Sequence, residues 1–176
     1  MGVPTYQRRT RIEAPLEIVW EFHSNPSGLE ALTPAWMQLR IDAVVGPDGE
    51  RDPPILEAGS ELDVSLRPFD VGPRSRWTSA IVERHREAGA AYFRDEMVRG
   101  PFERWEHTHA FFADGEATVL LDHLEYELPG PLGSIPGSVS QLGFEPMFRY
   151  RHRRTKELLE GENVRNAEQR VERRTR

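Results

Sequence analysis

Apolar and polar residues alternate with a two-residue period over most of the chain between Thr5 and Leu128, the signature of strands with one face turned inward. Seven segments carry it: Thr5 to Glu13, Met37 to Val45, Ser60 to Phe69, Arg74 to His85, Ala91 to Val98, Glu103 to Phe112 and Ala117 to Leu128. Thr5 to Glu13, with Gln7, Arg9 and Arg11 on one side, reads as an edge strand. The last four connections are short and rich in turn residues, Asp70-Val71-Gly72-Pro73, Glu87-Ala88-Gly89, Arg99-Gly100-Pro101 and Asp114-Gly115, so consecutive strands are expected to pair as an antiparallel meander.

The period changes to helical in three places. Pro15 opens a segment whose Leu16, Val19, Trp20 and His23 share a face, and Ser27 to Leu32 follows as a second short helix. Beyond the connection Pro129 to Gly137, the spacing of Val139, Leu142, Met147, Tyr150, Leu158 and Leu159 predicts a long final helix that Pro146 kinks or restarts. The expected fold is α+β: a curved antiparallel sheet of about seven strands wrapped around a long C-terminal helix, with two short helices after the first strand. A cavity between sheet and helix follows from that arrangement.

Composition narrows the possibilities. At 176 residues without an internal repeat, residues 1–160 fit one domain, and the arginine-rich, aperiodic stretch 161–176 reads as a disordered tail. A net charge of −6 argues against nonspecific nucleic-acid binding. No apolar run approaches the roughly 20 residues a membrane span needs, and no signal-peptide core follows Met1, so a cytoplasmic location is the expectation. The absence of cysteine excludes disulfides, thiolate metal sites and cysteine nucleophiles. There is no P-loop, no G-x-G-x-x-G fingerprint and no G-x-S-x-G elbow, which turns the reading away from nucleotide chemistry and serine hydrolysis.

The candidate chemistry sits on the sixth strand. Trp105, His107, His109 and Phe111 recur every second residue and so share one face, while Arg104, Glu106 and Thr108 suit the solvent side. With Asp114-Gly115 as the turn centre, His107 pairs with Asp122, His109 with Leu120 and Trp105 with Leu124. With a three-residue loop at Arg99-Gly100-Pro101, Asp95 faces Trp105 and Phe93 faces His107. Asp122 and His107 then either satisfy one another as a buried pair or form an acid/base with its orienting carboxylate. Two histidines with Asp95 and Asp122 are a donor set for zinc, but these residues are spread along the sheet, and neither metal nor cofactor is assigned. Leu120, Leu124 and Tyr126 complete the inward face, Tyr126 offering a hydroxyl. Which of Arg76 and Trp77 points inward depends on an unseen bulge. Arg151 either reaches the cavity mouth or lies on the surface among its arginine neighbours, and the surface is the expectation.

These residues resemble a known family. Ile12-Glu13-Ala14-Pro15-Leu16-Glu17-Ile18-Val19-Trp20-Glu21-Phe22 is similar to the opening strand-to-helix segment of the START-like helix-grip superfamily, also called SRPBCC, in its polyketide cyclase/dehydrase-like branch. Gly100-Pro101-Phe102 with Trp105, His107, His109 and Phe111, then Thr118, Asp122 and Tyr126, resembles one poorly characterised subgroup, and Phe148, Tyr150, Arg151 and His152 fit its last helix. The likeness spans roughly residues 5 to 160. It implies a pocket for a small hydrophobic or aromatic molecule but no particular reaction, because one fold hosts carriers, receptors and enzymes. The expected site is Phe93, Asp95, Trp105, His107, His109, Phe111, Leu120, Asp122, Leu124 and Tyr126. The alternatives are a cyclase- or dehydratase-type enzyme with His107 as acid/base and Asp122 as its orienter, and an interaction module without ligand.

Overall fold

The computed structural model describes residues 3–134 and 137–174, and for 134, 138–140 and 162–174 it describes the backbone alone. Seven strands, β1 (Thr5–Ile12), β2 (Arg40–Val45), β3 (Glu61–Leu66), β4 (Ser75–Glu87), β5 (Ala90–Arg99), β6 (Arg104–Asp114) and β7 (Ala117–Glu127), form one antiparallel sheet in the order β1-β7-β6-β5-β4-β3-β2. The first strand pairs with the last and with no other, so β1 is an edge, and its exposed Gln7, Arg9 and Arg11 suit that position. Among the described residues no helix is long and apolar enough to cross a membrane.

Helix α1 (Leu16–His23) buries Leu16, Val19, Trp20 and His23, the face its spacing predicts. Helix α2 (Pro26–Ala31) starts where Asn25 accepts a hydrogen bond from the Ser27 amide and Pro26 occupies the first turn. The two helices meet at Gly28, where a Cβ would stand 2.4 Å from the Phe22 carbonyl oxygen, so only glycine permits this approach. The connection from β2 to β3, polar though it is, is pinned: the Leu56 amide donates to the Ser24 carbonyl at 2.8 Å and Arg84 donates to the Leu56 carbonyl at 2.7 Å.

Helix α3 (Gly137–Arg174) lies on the concave side of the sheet and runs through Pro146. Tyr6 and Arg8 of β1 clamp it at Glu145, at 2.6 and 2.7 Å, and its Phe148, His152, Thr155 and Leu159 are buried beneath it. The sequence spacing chose the inward face imperfectly. Leu142 is 70% exposed, while the buried stripe is 148, 152, 155 and 159, the three- and four-residue steps of a helix. The side chain of Val139 lies outside the described residues, and the stretch expected as a disordered tail continues the backbone of α3 to Arg174, with 175 and 176 outside the described residues.

Register departs from expectation at both hairpins that carry the site. The β6–β7 turn centres on Gly115-Glu116, with Asp114 paired to Ala117 and positive φ (64°) at Gly115. This moves the pairing by two residues, so that Asp122 faces His109, Leu124 faces His107 and Tyr126 faces Trp105. Four residues join β5 to β6, and Asp95 faces His107 while Phe93 faces His109, again two residues from the expected partners. A shift of two leaves every side chain on its predicted face and changes only its neighbours. On β4 the alternation brings Ser75, Trp77, Ser79 and Ile81 to the cavity and leaves Arg76 exposed. A bulge at Val82 then resets the phase and turns Arg84 inward onto Trp20, 4.3 Å from its ring centre.

Candidate functional site

A cavity of about 830 Å³ lies between the sheet and α3. Its floor is built by alternate residues of four strands, among them Leu62, Val64, Trp77, Ile81, Phe93 and Trp105, and its roof by Phe144, Met147 and Arg151 of α3. Leu29 and Leu32 close one end, beside Trp36, whose ring stacks on Phe69 at 4.8 Å. The walls are mostly apolar. Polar residues line the cavity too, and the ion-paired Asp95, His107 and His109 gather on one patch.

That patch is where β5, β6, β7 and α3 converge. Asp122 is 2% exposed and accepts hydrogen bonds from His107 Nε2 at 3.0 Å on Oδ1 and from His152 Nε2 at 2.6 Å on Oδ2. His109 Nδ1 also lies 2.8 Å from Asp122 Oδ1, but off the line needed for a directed bond, so this is an ionic contact between groups whose geometry is unspent. The opposite edges of the same two imidazoles face Asp95: its Oδ1 is 3.7 Å from His107 Nδ1 and 3.5 Å from His109 Nε2, while its Oδ2 accepts from Ser79 Oγ at 3.1 Å. The two imidazoles, 3.8 Å apart between centres, are therefore sandwiched between a buried carboxylate and a cavity-lining one.

Electrostatics follows from this geometry. Burial pushes the imidazole of His107 down, its neighbour His109 adds to that, and Asp122 offsets it only in part. Burial also opposes charge on His109, but Asp122 and Asp95 outweigh it and hold the imidazolium above the ordinary histidine value. Burial likewise works against the Asp122 anion, yet His109, His107 and His152 together hold its carboxyl well below the usual range. Asp95 is lowered too, against burial, by His109 and His107. The two histidines, chemically identical in the sequence, are thus driven in opposite directions.

Of the residues singled out in the sequence, Phe93, Asp95, Trp105, His107 and His109 line the cavity. Asp122 sits behind the imidazoles rather than on the wall. Phe111 and Leu120 are in the packed core around α1, and Leu124 and Tyr126 pack with Tyr6 and Phe148, with the Tyr126 hydroxyl 3.5 Å from the Gly137 carbonyl. Arg151, expected on the surface, instead lines the cavity, its guanidinium pushed down by burial and held charged by Asp122 and Asp95. Two contributors escaped the sequence reading of the site. His152 completes the coordination of Asp122 while taking a hydrogen bond from Thr10 Oγ1 at 2.8 Å, and its position one turn after Phe148 was the available signal. His23, on the buried stripe of α1, brings a third imidazole to the cavity 6.4 Å from the ring of His109.

Three solved structures overlay this chain over nearly their whole length. A START superfamily protein from Mycobacterium smegmatis matches 91% of the chain and 99% of its own at 15% identity, with a TM-score of 0.61. The fold is that of the START-like helix-grip proteins. A norcoclaurine synthase from Thalictrum, determined with a transition-state analogue, shares the START-like fold over 92% of this chain and 97% of its own at 15% identity and a TM-score of 0.62. The major latex-like protein 151 of Panax ginseng shares it over 88% and 96% at 15% identity and a TM-score of 0.61. No family model and no curated protein sequence matches the chain. At such identities the START-like likeness is one of backbone architecture, and residue roles have to be argued from this chain's own side chains.

Proposed function

We propose that residues 1–160 are a single domain that binds a small hydrophobic or aromatic molecule in the cavity between sheet and α3. The observation that carries this reading is the cavity itself: about 830 Å³, the volume range of small-molecule sites, with mostly apolar walls and a cluster of ion-paired side chains among them. Apolar walls supply affinity, and the few polar groups supply orientation. Trp77, Phe93 and Trp105 offer flat faces to a ring, and Asp95, His107, His109 and Arg151 fix which end of the ligand faces the patch.

The test is occupancy. Native mass spectrometry of freshly purified protein is expected to show a retained molecule, and a library of hydrophobic compounds to raise the melting temperature in a saturable way. Met147→Trp, which fills the cavity from the helix side, is expected to abolish both effects while the fold is retained. A chain that retains nothing, and whose melting temperature no compound moves, is not a carrier of this kind.

One observation favours a second reading, an acid/base enzyme of cyclase or dehydratase type. His107 is anchored through Nε2 to Asp122 and presents Nδ1 to the cavity side, so a proton can be exchanged with a bound molecule at that atom. Asp122 then acts as the positioning residue. His107→Ala that leaves turnover of any substrate found by the ligand screen unchanged eliminates this role.

A further inference from the structure

The contacts on the two edges of the imidazole pair differ in kind. Toward Asp122 they are 2.8 and 3.0 Å, lengths of hydrogen-bonded or ion-paired groups. Toward Asp95 they are 3.5 and 3.7 Å, too long for charge-assisted hydrogen bonds yet close to the edge of a tetrahedron around a metal ion, ~3.4 Å for ligand bonds of ~2.1 Å. The ligand atoms of Asp95, His107 and His109 all lie within 4.8 Å of one another, and all three residues line the cavity.

We propose that Asp95, His107 and His109 form a binding site for a divalent first-row transition ion, Zn²⁺, Co²⁺ or Fe²⁺, whose remaining coordination positions open into the cavity. Each ligand already has the partner a metal ligand needs behind it. Asp122 accepts from His107 Nε2 and makes an ionic contact with His109 Nδ1, which favours a proton on each of those atoms; His107 Nδ1 and His109 Nε2, the nitrogens that face Asp95, then carry the lone pairs. Ser79 holds Oδ2 of Asp95, leaving Oδ1 for the ion. Asp95 and Asp122 place two carboxylates against the imidazole pair, and both act on the guanidinium of Arg151 as well. Two imidazoles and one carboxylate with open positions are a donor set used for catalytic zinc and non-haem iron. The site stands whether or not an organic ligand binds, and it excludes His107 from acid/base work while the ion is held.

The experiment is titration of the chelator-treated full chain with Co²⁺, read by visible d–d absorption, and with Zn²⁺, read by calorimetry. One ion per chain is expected, with a cobalt spectrum of low coordination number. Asp95→Asn and His109→Gln are expected to abolish binding, and the positioning variants Ser79→Ala and Asp122→Asn to weaken it by about 10- to 100-fold. His85→Gln and His123→Gln, on the outer surface, are expected to change nothing. Should the ligand variants fail to fold, Ser79→Ala, which removes one hydroxyl, still decides the matter. The proposal is overturned if the parent protein binds neither ion at micromolar concentrations, or if Ser79→Ala and Asp95→Asn bind as tightly as the parent.

Discussion

Acidification to pH 5 should destabilise this protein through His23, and by an amount the structure sets. The ring is 8% exposed, donates through Nδ1 to the Val19 carbonyl at 2.8 Å, and packs against Phe22 and Phe111 at 5.3 and 5.0 Å between ring centres. Burial among these groups pushes its pKa down to about 3, from an ordinary value of 6.5. A folded-state value below the unfolded one means that the unfolded chain takes up the proton first. Stability is therefore full above about pH 6.5 and is lost as pH falls from there toward 3. The whole difference corresponds to about 5 kcal/mol, of which about 2 kcal/mol falls between pH 7 and pH 5. Against a typical total of about 5–15 kcal/mol this is a large fraction. The assay is urea unfolding of the parent and of His23→Leu at both pH values. Leucine removes the titrating group while the Val19 carbonyl keeps its helical backbone partner. Between pH 7 and pH 5 the parent should lose about 2 kcal/mol more than the variant; His107 and His109 are present in both proteins, so their contributions are common to the two apart from the repulsion between His23 and His109. Equal losses, within about 0.5 kcal/mol, refute the reasoning and mean that cavity water solvates the imidazolium.

Other consequences are as direct. Phe148→Ala removes a ring that is 1% exposed and contacts Tyr6 and His107, and should cost about 3–5 kcal/mol in denaturant unfolding. Gly28→Ala forces a methyl group onto the Phe22 carbonyl and should cost about 1–3 kcal/mol, seen as a fall in the melting temperature. Asp122→Asn takes the charge from the centre of three imidazoles and should cost about 3 kcal/mol at pH 7 by urea unfolding, provided the chain folds; a neutral result would mean that the imidazoles satisfy one another without it.

What the amino-acid sequence determined by itself is what depends on period and on local chemistry. Alternation placed Trp105, His107, His109 and Phe111 on the inner face of one strand, and the helical stripe of Leu16, Val19, Trp20 and His23 followed from three- and four-residue spacing. The number of strands, their antiparallel order and the helix that crosses them were legible for the same reason: each buried face had to be covered, and short turns left few ways to do it. Tertiary structure alone decided who stands next to whom. A two-residue change of register at each of two hairpins is invisible to a pattern of period two, yet it moved Asp95 from Trp105 to His107 and Asp122 from His107 to His109, gathering into one cluster residues that the sequence spread along the sheet. His152 and Arg151 reached that cluster because the packing of α3 on β1 sets the rotation of the helix, and a run of arginines around them masks the buried stripe. Periodicity tells which way a side chain faces; only the register of the strands and the rotation of the helix bring particular atoms within bonding distance.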